Sequence, residues 1–564
     1  MANLLGKAQC PEFWADLKNK REYQFLIDAV LRDYEVECIG EIETIKFSKF
    51  RLFKEKGDRN QYQEIFFKRQ HRAYIMALMS LLYPENESYL ELLQDTIWEI
   101  CDLYVWALPA HIDNIEINNN TELDLDATTM AMALAIIKTM LGNRLHPLII
   151  SRIDAEINRR VIEPFMKKRW HWEYRQNNWT AVCAGATGCT FMLMRPDLFE
   201  LVRDRINEDM QDYLRSYKND GVCVEGAGYW SYGFGYFIEY AIMLRDFTNG
   251  AYNLLSIDKV RSIATFLEKL FLDKDVIVNY GDCGAGTSVS VPGGFMFGLK
   301  KLYSEVQIPP RKALSYTCHY FPAMIRAFTD YTPEFTSSDI STNAEYYMAD
   351  QGWFVKRCEK YGFASRGGSN SESHNHNDVG SFILSIDNEQ VLIDMGGRAY
   401  TRQYFEDGTR YTYLETSSRG HNVPIINGEY QKNIPNTGSK ASLENGVFSV
   451  EFGSVYGIDS LYLRRDYSFT PSSVTVTDNY NEAACSFEER FISYIEPKIF
   501  DGEVIIGKAH IKFDSDAYVA TYEKDLHALE CDVDGSITRG VDIYLTTIKT
   551  LNPNGSSTVV IEVE

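Results

Sequence analysis

The chain has 564 residues, 45% of them hydrophobic and 24% charged, and its formal net charge is −22. This length predicts two or more globular domains, and the negative charge argues against nucleic acid or a membrane surface as a partner. The N-terminal segment lacks a signal-peptide pattern, and no window approaches the roughly 18 apolar residues that a membrane-spanning helix needs. Because the 11 cysteines include no CxxC pair, the sequence predicts reduced thiols and a cytoplasmic location.

Apolar residues recur at helical spacing from about residue 12 to residue 330. The segment ATTMAMALAIIKTMLGN (127–143) predicts a helix that ends at Gly142 and Asn143, and VRSIATFLEKLFLDK (260–274) predicts another. Strand-like alternation is scarce here. We therefore expect a large helical array, either an α/α toroid of helical hairpins or a solenoid, and the lack of a fixed repeat period disfavours a regular solenoid.

The pattern changes near residue 345. The segment GSFILSIDNEQVLIDMGG predicts two strands joined by a turn at Asp387 and Asn388, and strand signals continue to the final STVVIEVE. The sequence thus predicts an α+β multidomain protein, with a helical α/α toroid over 1–335 and an antiparallel β-sandwich over 336–564. A cleft between two such domains is a common place for a binding site.

Two stretches of the helical half carry polar or aromatic side chains that call for an explanation. RQNNWTAVC begins a small-residue helix, in which Asn177 or Asn178 is either an N-cap or a ligand contact. DGVCVEGAGYWSYGFGYF is rich in glycine, which lets a backbone approach a ligand closely. Its Tyr229, Tyr232 and Tyr236 fall at roughly helical spacing, so a packed aromatic stripe is the alternative.

The segment SHNHNDVG holds two of the chain's 10 histidines. On an extended segment His374, His376 and Asp378 share one face, which suits a metal site, a proton shuttle or strand-edge hydrogen bonds. The returning strand brings Asp394 toward the same end, and His421 lies in a loop. Two imidazoles and a carboxylate suit Zn²⁺ or a similar ion. Spacing leaves both sets open as ligands: His376, Asp394 and His421, or His374, His376 and Asp378.

Taken together, these segments resemble the heparinase II/III family of polysaccharide lyases. The likeness lies in SHNHNDVGSFILSIDNEQVLIDMGG, YTRQYF and SSRGHNVPIING, and upstream in NNWTAVC, DGVCVEGAGYWSYG and VNYGDC. It covers most of residues 120–430. The resemblance implies an α/α toroid followed by an antiparallel β-sandwich. It also implies cleavage of uronic-acid glycans, of glycosaminoglycan or alginate type, by β-elimination to 4,5-unsaturated products.

The resemblance assigns catalytic roles to three residues. His374 matches the catalytic histidine, Tyr229 matches the catalytic tyrosine with Tyr232 as a rival, and Asn178 matches the asparagine that contacts the substrate carboxylate. Some relatives have a histidine after that asparagine, where this chain has Trp179. Elimination needs an offset for the carboxylate charge, a base for the C5 proton and an acid for the leaving oxygen, and this set supplies all three. We assign His374 as the base and Tyr229 as the acid, with the opposite assignment open for the other uronate epimer.

The resemblance also implies one structural divalent metal, usually zinc, with manganese as the alternative. Its ligands would be His376, Asp394 and His421. Such a metal would fix the loop that carries His376 and so orient His374, with Asp378 as a supporting contact. One histidine of the pair would then hold the metal while its neighbour performs the chemistry.

Three further charged residues, Glu225, Arg366 and Arg402, are candidates for the substrate cleft. Each would otherwise be a member of a structural ion pair. The basic stretch 157–175 is either a solvated helix face or a local attraction for an anion. The expected partner is an anionic uronate oligosaccharide or polysaccharide, and the cytoplasmic location favours oligosaccharides. Heparan-type chains, chondroitin, hyaluronan and alginate all stay open, as does the oligomeric state.

Three alternative functions remain open at this point. A metal-dependent hydrolase would use an HxHxD motif, but such enzymes usually have histidine where this chain has Val379. A glycoside hydrolase on a helical toroid would need two carboxylates, for which Asp220 and Glu225 are the candidates. A non-catalytic carbohydrate-binding protein would keep the aromatic residues but has no need for the His/Tyr/Asn set.

Overall fold

The computed structural model describes residues 4–115, 119–284, 290–335, 340–406, 408–532 and 536–564. Helices dominate the first half of the chain, and strands dominate the second. The helices are α1 (Pro11–Leu17), α2 (Gln24–Asp33), α3 (Phe47–Phe50), α4 (Leu52–Lys56), α5 (Asn60–Leu82), α6 (Glu87–Asp102), α7 (Leu125–Leu141), α8 (Pro147–Ile157), α9 (Glu163–Lys167), α10 (Asn178–Met194), α11 (Pro196–Arg215), α12 (Ala227–Tyr229), α13 (Gly235–Phe247), α14 (Asp258–Ala264), α15 (Phe266–Leu270), α16 (Gly293–Leu302) and α17 (Phe321–Thr329).

The strands form four sheets among the described residues. They are β1 (Val291–Pro292), β2 (Leu314–Ser315), β3 (Ala344–Met348), β4 (Trp353–Arg357), β5 (Gly362–Arg366), β6 (Phe382–Ile386), β7 (Glu389–Leu392), β8 (Ile425–Ile426), β9 (Lys440–Glu444), β10 (Val447–Glu451), β11 (Leu463–Thr470), β12 (Ser473–Tyr480), β13 (Phe487–Ser493), β14 (Lys498–Phe500), β15 (Glu503–Ile506), β16 (Ala509–Lys512), β17 (Tyr518–Cys531), β18 (Ile537–Thr550) and β19 (Ser556–Val563). Their orders are β1-β2, β3-β4-β5-β6-β7, β14-β15-β16-β19-β12-β11-β10-β9 and β17-β18-β13-β8.

The helices form an inner and an outer layer, as an α/α toroid requires. Helices α7, α10 and α13 are buried on nearly all sides, whereas α2, α6, α8 and α11 bury one face. Helix α10 is rich in small residues because it packs against α7, α11 and α13 at once. A side chain at Gly185 would place its Cβ 2.8 Å from the backbone oxygen of Tyr236, so only glycine permits this approach.

Helix α7 shows how local signals set a helix of the inner layer. The side chain of Asp124 accepts a hydrogen bond from the backbone N–H of Ala127 at 2.8 Å and caps the first turn, and Gly142 ends the helix.

The stretch Leu125–Arg144 has a mean hydropathy of 1.3, so by length and composition alone it is long and apolar enough to cross a membrane. The sequence-based statement that no window approaches this composition is therefore wrong. Because 78% of its apolar window is buried inside the protein, we interpret this stretch as a core helix.

The five-stranded sheet is the layer that joins the two halves. Alternate residues of β4 face opposite ways: Trp353 and Val355 join the core of the helical half, while Phe354 joins the core shared with the eight-stranded sheet. In β6, Ile383 likewise joins the core of the helical half, and Phe382 joins the core shared with the eight-stranded sheet. Full burial of one such side chain stabilises the fold by about 2 kcal/mol. The SHNHNDVG segment, which leads into β6, therefore lies where the helical and β halves meet.

The predicted architecture of helices followed by antiparallel sheets is confirmed. The predicted hairpin is present as β6 and β7, and Asp387 and Asn388 have φ values of 50° and 65°, as a tight two-residue turn requires. The helix predicted over 260–274 is instead two short helices, α14 and α15, followed by an isolated bridge between Phe271 and Ile277. The predicted domain boundary after residue 335 adjoins 336–339, which lies outside the described residues.

Candidate active site

A cavity of about 720 Å³ lies where the inner helices meet the loops of the β half. It carries several aromatic side chains, and its polar residues come from both halves of the chain. Residues lining it include Arg59, His111, Asp126, Arg175, Asn178, Trp179, Tyr229, Tyr232, Tyr236, His374, Tyr400, Arg402 and Glu406. The three tyrosines at helical spacing thus line the cavity, so they are more than a packed core stripe.

His374 lies in the cavity wall with a constrained backbone. Its φ is 53°, in the left-handed region that histidine adopts only occasionally. Its backbone oxygen accepts a hydrogen bond from the N–H of Asp282 at 3.2 Å, and a Cβ on Gly281 would lie only 3.0 Å from the same oxygen. The ring is 24% exposed, and its Nδ1 is 2.7 Å from Oδ2 of Asp282. With a proton held on Nδ1 by the carboxylate, Nε2 is the nitrogen left free to accept one.

Asp282 is the centre of the polar network, and the sequence did not single it out as a site residue. Its Oδ1 accepts hydrogen bonds from His376 Nε2 at 3.1 Å, from Arg410 Nη2 at 3.0 Å and from the Tyr404 hydroxyl. Burial alone would raise the pKa of Asp282, but hydrogen bonds from His374 and His376 and the charge of Arg410 hold it well below its usual range. One ionised carboxylate therefore orients both histidines of the HxH pair.

Tyr229 lies against His374. The two rings are stacked with centroids 4.5 Å apart, and the Tyr229 hydroxyl is 2.9 Å from the hydroxyl of Tyr400. Burial raises the pKa of Tyr229, so its hydroxyl stays protonated. Tyr232 lies within the π-helical turn Trp230–Phe234 that follows Tyr229, and its ring packs on Tyr236 with the centroids 5.7 Å apart. Of the two rival tyrosines, Tyr229 is the one stacked on the histidine.

Asn178 is the first residue of α10, directly after the N-cap. Asn177 takes the capping role, because its side chain accepts a hydrogen bond from the N–H of Trp179 at 3.1 Å. The Asn178 side chain is buried and lines the cavity, and its Oδ1 has no hydrogen-bond partner among the described residues. An amide can turn either its donor or its acceptor toward a ligand. Asn178 is thus available to a ligand, while its neighbour holds the helix.

His376, Asp394 and His421 form a fully buried cluster beneath the cavity. Each offers one ligand atom, and these atoms lie within 4.8 Å of one another. His421 Nε2 donates to the backbone oxygen of Glu415 at 2.9 Å, and His376 Nε2 donates to Asp282. His376 Nδ1 has no hydrogen-bond partner among the described residues. His421 Nδ1 lies 3.0 Å from Oδ2 of Asp394, another member of the cluster. Nδ1 of each imidazole could therefore serve as a metal ligand while Nε2 is held by a hydrogen bond, as is usual for metal-binding histidines.

The alternative ligand set of His374, His376 and Asp378 is not brought together as a cluster. Asp378 pairs with Arg366, with 3.1 Å between Oδ1 and Nη1, and both side chains are fully buried. Arg366 also binds Glu372 at 2.8 Å. The expectation that Arg366 lines the substrate cleft is therefore wrong, since its charge is used inside the protein and it lines none of the described cavities.

The other two residues predicted for the substrate cleft, Arg402 and Glu225, line two different cavities. Arg402 is exposed at the main cavity, and its Nη2 donates to the backbone oxygens of Phe53 and Lys54 at 3.1 and 3.3 Å. Glu225 is buried and lines a smaller cavity of about 260 Å³, which shares Asn178 and Tyr229 with the main one. Burial raises the pKa of Glu225.

Arg59 is a cation of the cavity that the sequence did not reveal. It is half-buried directly before α5, and its Nε donates to the Gln63 side chain at 3.2 Å. It forms no ion pair within the part of the chain that the structure describes, although Asp126, Tyr229 and Tyr400 are near enough to interact with its charge. Tyr400 and Asp282, by contrast, lie in the quoted segments YTRQYF and VNYGDC, so a signal for those two was present.

Solved structures share this arrangement of helices and sheets at low sequence identity. A mutant of the heparan sulfate lyase HepC from Pedobacter heparinus matches with a TM-score of 0.60 at 12% identity, over 96% of this chain and 88% of that one. Heparinase III matches with a TM-score of 0.58 at 13% identity, over 96% and 85%. The chain has the heparinase III fold. No protein-family model and no curated protein matches it.

The same fold extends to a second kind of lyase. The chondroitin AC lyase of Streptomyces coelicolor A3, solved in complex with chondroitin sulphate, matches with a TM-score of 0.53 at 10% identity. That match covers 95% of this chain and 82% of that one. The resemblance drawn from the sequence motifs is thus confirmed for the heparinase III fold.

Proposed function

We propose that this protein is a polysaccharide lyase that cleaves uronate-containing glycans, of the glycosaminoglycan type, by β-elimination. The observation that carries this proposal is the stacked pair of Tyr229 and His374 in the cavity wall, with Asn178 lining the same cavity. An acid, a base and a carboxylate contact are what the reaction needs. The match to structures of a heparan sulfate lyase and a chondroitin AC lyase supports the proposal at the level of the fold.

The first requirement is to offset the negative charge of the substrate carboxylate. Removal of the C5 proton adds charge to a group that is already negative, so a donor placed at the carboxylate stabilises the intermediate. Asn178 has an amide without a partner among the described residues, and Arg59 supplies a nearby positive charge. These two residues take the role for which some relatives use a histidine after the asparagine.

The second requirement is a base. His374 accepts the C5 proton on Nε2, and the electron pair of the broken C–H bond forms the C4–C5 double bond. Asp282 keeps the other proton on Nδ1 and stabilises the imidazolium that results. Asp282 is therefore a positioning residue that acts through His374.

The third requirement is an acid for the leaving group. As the bond between C4 and the glycosidic oxygen breaks, Tyr229 donates its hydroxyl proton to that oxygen. Tyr400, whose hydroxyl is 2.9 Å away, can donate to the phenolate that remains. The hydroxyl pair thus limits the build-up of negative charge in a buried place.

The two hydrolase alternatives fit the structure less well. His376, Asp394 and His421 are fully buried and none of them lines the main cavity, so a metal held by them would not contact a substrate in that cavity. Asp220 accepts hydrogen bonds from the backbone N–H groups of Val222 and Gln351 and does not line that cavity.

The product of the reaction tests the function directly. The purified protein should release 4,5-unsaturated uronate from at least one member of a panel of heparan-type, chondroitin, hyaluronan and alginate oligosaccharides. The new double bond is followed by ultraviolet absorbance, and new reducing ends are measured in parallel. Reducing ends without absorbance would indicate a hydrolase and contradict the proposal.

The buried cluster is proposed to hold one structural divalent metal, with zinc as the best match to two imidazoles and a carboxylate. Zn²⁺ added to protein treated with a chelator should raise the unfolding midpoint by several degrees, because a metal that binds only the folded state stabilises it. His421→Ala should abolish this rise. His510→Ala is the matched control. His510 lies on β16, outside the cluster, and pairs with Glu503 and Glu564. An equal rise in all three proteins would contradict the assignment.

A further inference from the structure

A second group of metal-ligating side chains lies in the helical half, apart from the main cavity. Asp33 ends α2, Glu37 lies in the π-helical turn Tyr34–Cys38 that follows, and His71 lies in the middle of α5. Each offers one ligand atom, and these atoms lie within 4.8 Å of one another. None of the three residues lines the main cavity, so the group has no direct part in the proposed elimination.

His71 lies between the two carboxylates, with one of them at each ring nitrogen. Its Nδ1 is 2.6 Å from Oε2 of Glu37, which is a hydrogen-bond distance. Its Nε2 is 3.7 Å from Oδ2 of Asp33, which is too long for a hydrogen bond. The residue is only 5% exposed, and Nε2 has no hydrogen-bond partner among the described residues. A buried polar atom without a partner is uncommon in a native protein, and here it points toward a carboxylate.

The gap between Nε2 and Asp33 suits a metal ion better than a hydrogen bond. Two ligands of one tetrahedral Zn²⁺ lie about 3.4 Å apart, because each bond is about 2.1 Å long. The observed separation of 3.7 Å is close to this distance. When Glu37 accepts the proton of Nδ1, the lone pair of the imidazole is on Nε2, as in the carboxylate–histidine–metal arrangement of many metal sites.

The two carboxylates of the group lack a basic partner. Neither Asp33 nor Glu37 forms an ion pair with lysine or arginine in the part of the chain that the structure describes. Arg72, next to His71 in the chain, donates instead to the backbone oxygen of Gly40 at 3.0 Å. With a neutral imidazole, two negative charges would therefore repel each other, and a divalent cation would neutralise both. The two carboxylate side chains are 25% and 34% exposed, so an ion and its water ligands can reach them.

We propose that Asp33 and His71 bind one divalent cation of the zinc class, meaning Zn²⁺, Co²⁺ or a similar transition-metal ion. Glu37 orients the imidazole, and water completes the coordination. The nitrogen ligand favours this class, because Ca²⁺ and Mg²⁺ prefer oxygen ligands. The site would bind its ion whether or not the protein is a lyase.

The ion would join the end of α2 to the middle of α5. The ring of His71 packs on the ring of His319, with the centroids 5.1 Å apart, and His319 lines the main cavity together with Phe67 and Gln70. The site thus lies directly behind one wall of that cavity. Its role is structural, because the ion would support this wall without contacting a substrate inside.

Counting bound ions tests the proposal. The protein is dialysed to equilibrium against Zn²⁺, and the zinc content is measured by elemental analysis. The wild type should bind one more ion per chain than Asp33→Ala or His71→Ala. Asp33 is partly exposed at a helix end, so Asp33→Ala should fold and decides the question if His71→Ala does not. An equal count in Asp33→Ala and the wild type would overturn the proposal and leave the group as an ion pair.

His510→Ala is the matched control for this count. His510 also lies between two carboxylates, but both of its nitrogens are within hydrogen-bond distance, at 2.9 Å from Glu503 and 3.1 Å from Glu564. The count should stay at the wild-type value in this variant. An equal loss in His510→Ala would show adventitious binding to any histidine beside carboxylates and would overturn the assignment. Asp33→Ala combined with His421→Ala should lose two ions, because the buried cluster is a separate site.

The role of Glu37 is tested by calorimetric titration with Zn²⁺. Glu37→Ala should raise the Kd of this site by about 10–100-fold, as loss of a carboxylate that orients a metal-binding histidine usually does. Glu37→Gln should recover part of the affinity, because its amide oxygen can still accept the proton of Nδ1. Excess Mg²⁺ should not displace the zinc. Unchanged affinity in Glu37→Ala, or displacement by Mg²⁺, would overturn this arrangement.

The zinc concentration separates this site from the buried cluster. With two protein ligands and access to solvent, the site should bind zinc less tightly than the closed cluster of three ligands. Stabilisation by a ligand grows only when its concentration exceeds the Kd. At the lowest concentration that fills the cluster, the unfolding midpoint therefore reports the cluster alone. Dialysis at higher concentration reports Asp33 and His71.

Discussion

Replacing His374 with alanine is expected to lower kcat for β-elimination by about 10³-fold, because a positioned general base contributes about 10²–10⁴-fold. The loss should appear in kcat with little change in KM, since the imidazole acts on the C5 proton in the transition state and is not needed to hold the carboxylate. Initial rates of ultraviolet absorbance on the best substrate of the panel provide the measurement. The ring is partly exposed, so its removal should leave the unfolding midpoint nearly unchanged.

A graded variant and a control accompany this prediction. Asp282→Asn should lower kcat by about 10²-fold or more and alter its pH profile, because an amide does not hold the proton on Nδ1 or stabilise the imidazolium. A purely structural role for Asp282 would leave the pH profile in place. His510→Ala, outside the site, should keep full activity. Activity of His374→Ala within tenfold of the wild type would show that another group, such as the Tyr229 and Tyr400 pair, is the base.

Replacing Tyr229 with phenylalanine is expected to lower kcat by about 10²-fold or more, because the leaving oxygen would depart without a proton donor. The ring remains and can still stack on His374, so binding and stability should change little. A substrate analogue with a better leaving group at C4 should recover much of the lost rate, because protonation then matters less. Measurement of both substrates with both proteins separates an acid from a residue that only packs.

Tyr232→Phe is the matched control for the tyrosine assignment. Tyr232 lines the same cavity and loses the same hydroxyl in this variant, but its ring packs on Tyr236 and is not the one stacked on His374. It should retain most of the wild-type activity. A larger loss in Tyr232→Phe than in Tyr229→Phe would exchange the two roles.

The motif segments identified from the sequence are the ones that meet at the cavity, but their partners were only partly predictable. His374 and Tyr229 are 145 positions apart, and each was identifiable from its own segment. Asp282 lies in the segment VNYGDC, but that segment does not show which of its residues contacts the histidines. Its role depends on a contact to His374 across 92 positions, which only the packed chain provides.

Two site assignments were settled by burial, which residue type alone does not reveal. Arg366 is adjacent in sequence to the motif region but points into the protein, where two carboxylates neutralise it. Arg59 lies in an unremarkable polar stretch, yet it faces the cavity. An arginine is equally compatible with a buried ion pair and with a binding site, so its position in the fold decides between them.

The sequence by itself determined the order of a helical half and an antiparallel β half, the C-terminal end of α7 and the turn between β6 and β7. These features depend on side-chain periodicity and on residues such as Gly142, Asp387 and Asn388, whose conformational preferences act over a few positions. Only the tertiary structure decided that His376 gathers with Asp394 and His421, which tyrosine stacks on His374 and that Arg59 faces the cavity. Those outcomes depend on contacts between residues far apart in the chain, and such contacts are fixed by the packing of whole helices and sheets.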